Sequence, residues 1–142
     1  MHRGVAGLNA NYREQAELLG PRRHLLTLVT RPAFRAADQA PVVVFLNTGI
    51  IHHVGHHRMY VTLARRLAAR GLTCVRFDFS GLGDSLPRGD GRPPLQAWMQ
   101  DIRLVLDWMQ ERHGSARFVL AGLCAGADHA VLYGRNDPRV TG

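Results

Sequence analysis

The chain alternates between two kinds of hydrophobic pattern, and their order predicts its architecture. Residues 12 to 32 read as two short strands, the second being His24 to Thr30, separated by a turn at Gly20-Pro21. Pro41-Val-Val-Val-Phe-Leu46 is a continuous β-branched and aromatic run, suited to a strand buried on both faces of a parallel sheet. From Arg58 the period becomes helical, with Tyr60, Leu63, Ala64, Leu67 and Ala68 on one face and Gly71 as the stop. Thr73 to Phe79 alternates as a strand, residues 87 to 94 form a loop, and Leu95 to His113 is a helix facing inward through Trp98, Ile102, Val105, Leu106 and Met109. Arg117 to Ala121 predicts one more strand and Ala127 to Tyr133 a last helix, closed by Asp137-Pro138. A hairpin followed by β, α, β, α, β, α implies an α/β three-layer sandwich, with a mainly parallel sheet and an antiparallel hairpin at its start. Residues 1–11 read as a tail and residues 12–142 as one domain or part of one.

Gly122-Leu-Cys-Ala-Gly126 falls between a buried strand and a helix, where a nucleophile elbow belongs. A nucleophile there occupies a strained backbone conformation, and Gly122 and Gly126 remove side chains that would collide with strand or helix. Cys124 is the candidate nucleophile, since a thiolate attacks acyl carbons and a helix N-terminus lowers a thiol pKa; the alternative is a small buried packing residue. Developing oxyanion charge would be met by the N–H groups of Ala125 and Ile50, while Asn47-Thr-Gly49-Ile50 reads equally as an ordinary strand-ending turn. Asp78, Ser80, Gly81, Gly83, Asp84 and Ser85 form the turn beside the site, the two aspartates expected to bond backbone amides and fix it rather than to catalyse.

Other chemistries are disfavoured. His52 and His56, or His53 and His57, could bind a metal from a helix, but Gly55 opposes a helix there, and a solvated loop at the mouth of the site is expected with no metal. Gly81-Leu-Gly-Asp-Ser85 is an incomplete dinucleotide loop, with Leu86 where a third glycine belongs, which disfavours a Rossmann-like nucleotide-binding module and leaves no cofactor expected. The net charge of +7 comes from arginines without a single lysine. They are scattered rather than striped, so nucleic acid is not an expected partner. The missing lysine also removes P-loop and Schiff-base chemistry. Cys74 and Cys124 form no CxxC, and no run of about 18 apolar residues occurs, so a cytoplasmic protein without a membrane span is expected.

Leu46-Asn-Thr-Gly49, His56-His-Arg-Met-Tyr60, Ala64-Arg-Arg-Leu67, Val75-Arg-Phe-Asp-Phe-Ser-Gly-Leu-Gly-Asp-Ser85 and Gly122-Leu-Cys-Ala-Gly-Ala127 together resemble bacterial serine-aminopeptidase-like α/β-hydrolases, including exosortase-system-associated ones. The resemblance covers residues 12 to 142. Cysteine in place of serine is similar to dienelactone hydrolases, which implies a Cys-His-Asp triad acting on a small-molecule ester, thioester or lactone rather than on a peptide. In that superfamily the acid and then the histidine follow the nucleophile in chain order. Asp128 and His129 ride the helix after the elbow and are poorly placed to replace them. The expectation is therefore the N-terminal half of an α/β-hydrolase, inactive alone. Arg139-Val-Thr-Gly142 reads as the start of the next strand, leaving the elbow strand as an unpaired edge. The alternative is a non-catalytic remnant or partner-binding half that needs a second chain, such as a separately encoded C-terminal half, to complete the sheet.

Overall fold

In the computed structural model, residues 7–8, 11–34 and 39–142 are described. Of the expected tail, residues 1–6 and 9–10 lie outside them, as do residues 35–38 of the link after the hairpin. Gly7–Leu8 forms a short strand, β1, beside β2 (Tyr12–Leu19), which pairs antiparallel with β3 (Leu25–Pro32) from Leu19↔Leu25 to Tyr12↔Pro32. β4 (Val42–Phe45), α1 (Met59–Ala68), β5 (Cys74–Phe77), α2 (Pro94–His113), β6 (Phe118–Ala121) and α3 (Ala125–Gly134) follow. Strand order is β1-β2-β3-β5-β4-β6, antiparallel as far as β5 and parallel across β5, β4 and β6. The fold is the expected three-layer α/β sandwich.

Every residue of β4 and β5 is buried, as a strand covered on both faces requires. The period of two sorts them. Val42, Val44, Leu46, Val75, Phe77, Phe79, Phe118 and Leu120 join Ile102, Val105, Leu106 and Met109 of α2 in one core, while Val43, Phe45 and Cys74 join Tyr60 and Ala64 of α1 in another. On the α1 side Arg76 is buried too, and it is neutralised by Glu14, which also accepts from Arg65 at 2.7 Å. This triad ties β2, β5 and α1 together.

Two expectations are corrected here. α3 starts at Ala125, two residues early, because the elbow runs directly into the helix. The outer edge of β6 is not unpaired either. Val140 bridges Phe118 in parallel, with Phe118 N–H donating to Arg139 O at 2.8 Å and Leu120 N–H to Gly142 O at 2.9 Å. Arg139 holds this segment by donating to Asp107, Gln110 and Asp137. Its guanidinium supplies several donors from one residue, so the last residues stay against the sheet.

Candidate active site

Three chain segments meet at the C-terminal ends of the parallel strands. The first is the elbow. Cys124 lies between β6 and α3 at φ 53°, ψ −125°, a left-handed backbone costly for a side chain with a Cβ. The two glycines are required by contact: a Cβ on Gly122 would lie 2.4 Å from the Gly126 carbonyl carbon, and one on Gly126 would lie 2.7 Å from Asn47 O. Cys124 is exposed, which excludes the buried packing alternative. Cys74 is the opposite case, buried in the α1 core with its thiol pushed up to about 12 by desolvation, so it stays protonated and inert at neutral pH. Ala125 is the first residue of α3, where a helix has no internal acceptor for its N–H.

The second segment follows β4. Ile51 N–H donates to Thr48 O at 3.0 Å, closing a turn with Gly49 at φ 56° and Ile50 at its tip. In such a turn the N–H of the third residue is not used by the turn itself. Ile50 itself is 84% exposed. Behind it Asn47 is buried and fully engaged: its amide donates to Ile51 O and Asp78 Oδ1, both at 2.9 Å, and its Oδ1 accepts Phe79 N–H.

The third segment follows β5 and turns about Asp78, which is buried. Its Oδ1 accepts from Asn47 Nδ2 and His53 N–H, and its Oδ2 from His53 Nδ1 at 2.8 Å and Asp84 N–H at 3.0 Å. An ionised carboxylate only accepts, so His53 Nδ1 carries the proton in this bond. Burial alone would raise the Asp78 pKa, but the bonds from His53, Asp84 N–H and Asn47 outweigh it and hold the carboxyl below its usual range. Gly83 passes so close that a Cβ there would lie 2.4 Å from Asp78 Oδ2. Gly81, at φ 80°, has open space around it. Ser85 Oγ donates to Asp78 O and accepts Leu26 N–H, fastening the turn to β3. Ser80 donates both its N–H and its hydroxyl to the buried carboxylate of Asp101, which also accepts from Arg88. The Asp84 carboxylate is exposed, and it is the Asp84 N–H that joins the turn.

The histidine segment, expected as a solvated loop, is solvated only in part. His52, His56 and His57 are exposed, but His53 is buried on Asp78. Gly55, at φ 74°, interrupts the segment, leaving only a single 3₁₀ turn at His56–Arg58. His53, Asp78 and Asp84 place one ligand atom each within 4.8 Å of one another. Four N–H donors already occupy the Asp78 oxygens, so this cluster reads as a hydrogen-bonded hub rather than a cation site. His129 sits edge-on to Phe79 and Trp98, with ring centroids 5.4 and 5.3 Å away, and its Nδ1 is buried without a partner among the described residues.

Three residues at this end escaped the sequence reading. Asp101 falls on the inward face of α2, three residues from Trp98 and four from Val105, and an acid at such a position is the signal that it has a buried partner. Tyr60 was assigned to the helix core, and its hydroxyl also meets Thr48 Oγ1 at 3.0 Å and accepts Leu123 N–H at 3.2 Å. His53 carried no distinguishing signal among its neighbouring histidines.

A profile of the family described as serine aminopeptidase, S33, matches residues 38–142. The chain belongs to this α/β-hydrolase family. No curated protein matches it in sequence. Among solved structures, this α/β-hydrolase is similar to a cold-adapted esterase from an Arctic intertidal metagenomic library, at TM-score 0.72 and 18% identity over 99% of this chain and 63% of that one. It is similar to an α/β serine hydrolase without a lid from Xanthomonas campestris, at TM-score 0.63 and 23% identity over 90% and 57%. A third likeness is the Pyrococcus furiosus esterase Pf2001, at TM-score 0.66 and 14% identity over 96% and 53%. The chain spans less than two thirds of each of these structures. At these identities the likeness establishes the fold. No helix among the described residues is long and apolar enough to cross a membrane.

Proposed function

We propose that this chain carries the nucleophile half of an acyl hydrolase acting on small-molecule esters, thioesters or lactones. The observation that carries the reading is Cys124, exposed on a strained turn between β6 and the first residue of α3. The Cys124 thiolate attacks the acyl carbon, and a C–S bond forms as the carbonyl π electrons move onto oxygen. The N–H groups of Ala125 and Ile50 receive that oxyanion. Collapse expels the alcohol or thiol, which takes a proton from solvent, and leaves a thioester on Cys124. Water then releases the acid and restores the thiol. Asn47, Gly49, Asp78, Ser80, Gly81, Gly83, Asp84 and Ser85 hold the two loops that shape the site.

Turnover of this kind needs a base, and the family places its acid and histidine after the nucleophile. The one histidine after the elbow in this sequence, His129, packs against Phe79 and Trp98. The chain by itself is therefore expected to acylate without appreciable turnover. With p-nitrophenyl acetate, mass spectrometry should find a single acetyl group on Cys124 and none in Cys124→Ala, with steady-state hydrolysis close to the uncatalysed rate. Acetylation spread over other residues, or undiminished in Cys124→Ala, would sink the reading.

A second reading is a non-catalytic or partner-binding half whose sheet a separately encoded chain completes. It is favoured by the β6 side, where Val131 is 71% exposed on α3 beside a groove lined by Leu120, Ala130 and Val140. Under that reading Cys124 stays unacetylated in the assay above. A cytoplasmic location, argued from the two unpaired cysteines, and an exosortase-system association, argued from the resemblance, are further proposals.

A further inference from the structure

The hydroxyl of Tyr60 joins the two turns that carry the proposed oxyanion donors, and we infer that Tyr60 is a positioning residue for acyl transfer at Cys124. The inference rests on the acyl-transfer reading above. Leu123 N–H donates to Tyr60 Oη at 3.2 Å, and Tyr60 Oη shares a hydrogen bond of 3.0 Å with Thr48 Oγ1. Each partner lies two residues before a donor: Thr48 before Ile50, Leu123 before Ala125. Each partner also closes the turn it belongs to. Thr48 O accepts Ile51 N–H at 3.0 Å, and Leu123 O accepts Gly126 N–H at 2.9 Å. One oxygen atom thus connects two turns 75 positions apart in sequence, Thr48 and Leu123.

The phenol is well placed to hold them because it is buried and closely packed. Tyr60 is 3% exposed, its ring lies on Phe45 at 4.9 Å between centroids, and its N–H donates to Val54 O at 3.1 Å. Gly55 passes over it so closely that a Cβ there would lie 2.8 Å from the ring carbon Cγ. The β4–β6 ladder and the contact of Gly126 with Asn47 O set the base of the two turns. The Tyr60 hydroxyl reaches the turns themselves, where the donors are. Oxyanion donors act only when held at the right separation, and small misplacements cost large factors in rate.

Tyr60→Phe keeps the ring and deletes the link. The full chain is compared with this variant by hydrogen exchange, by acetylation with p-nitrophenyl acetate and by alkylation with iodoacetamide. Alkylation passes through no oxyanion, so it reports the thiol alone. Expected is faster exchange in residues 47–51 and 122–126 with β5 unchanged, acetylation of Cys124 slowed about ten-fold, and alkylation within about two-fold of the parent rate. Thr48→Val, which removes one of the two bonds, should give a smaller change of the same kind and serves if Tyr60→Phe does not fold. Unchanged exchange in both turns overturns the inference, as does an equal fall in acetylation and alkylation. If the parent chain is not acetylated, the acyl-transfer reading fails, and with it the role of Tyr60 in catalysis, while the exchange result still decides whether the hydroxyl links the turns.

Discussion

At Cys124 the backbone carries a cost that the side chain does not repay in stability. Its φ of 53° is open to glycine at no penalty, whereas a residue with a Cβ is strained there by about 1–3 kcal/mol. Glycine in place of alanine ordinarily destabilises through the unfolded chain by roughly 0.5–1 kcal/mol. Here the order should reverse, with Cys124→Gly more stable than Cys124→Ala by about 1 kcal/mol in urea unfolding. The usual order in that pair of melts would mean that the elbow relaxes in solution. The glycine pattern around Cys124 was legible in the sequence because sterics at a tight turn act between neighbours. What it could not reveal is that Gly126 is pressed against Asn47 O, a residue of a different loop.

Among the elements, α2 and β3 meet through His113 and Arg31. Arg31 Nη2 lies 3.3 Å from His113 Nε2, and since a guanidinium only donates, the imidazole nitrogen is the acceptor. Burial, with Arg31 and Arg112 adding to it, pushes His113 down to about 4. The native state therefore binds fewer protons than the unfolded chain between about 6.5, the ordinary histidine value, and its own pKa. Its contribution is fully present above about 6.5 and is lost as pH falls towards about 4. Thermal melts from pH 7.5 to 4.5 should show the parent chain losing a few more degrees than His113→Gln, and parallel curves would contradict this assignment. Element positions were readable in advance, since periods of two and 3.6 say which face of a strand or helix is buried. Boundaries shifted where a neighbour intervened, as when α3 began at the elbow.

For the molecule as a whole, Asp78 is the joint of the site end, drawing the loops after β4 and β5 onto one carboxylate. Asp78→Asn turns one acceptor oxygen into a donor facing N–H groups and should cost about 2–4 kcal/mol in urea unfolding at pH 7. Because the folded carboxyl titrates below its ordinary value, its contribution is present above about pH 4 and lost as pH falls through the lower folded pKa. The gap between parent and variant should accordingly close in acid; a gap constant down to pH 3 would count against the assignment. The sequence by itself determined the three-layer class, the order of elements from β2 onward, the strand-to-helix turn at Cys124 and the turn after β5, all of which follow from local sterics and hydrophobic period, whereas β1 at Gly7–Leu8 fell in what read as a tail. Only the tertiary structure decided that His53 is buried on Asp78, that Asp101 anchors Ser80, that the β6 edge is covered and that the Tyr60 hydroxyl spans two turns. Each of these joins residues far apart along the chain, and a period says which face an atom lies on but not which distant partner will meet it there.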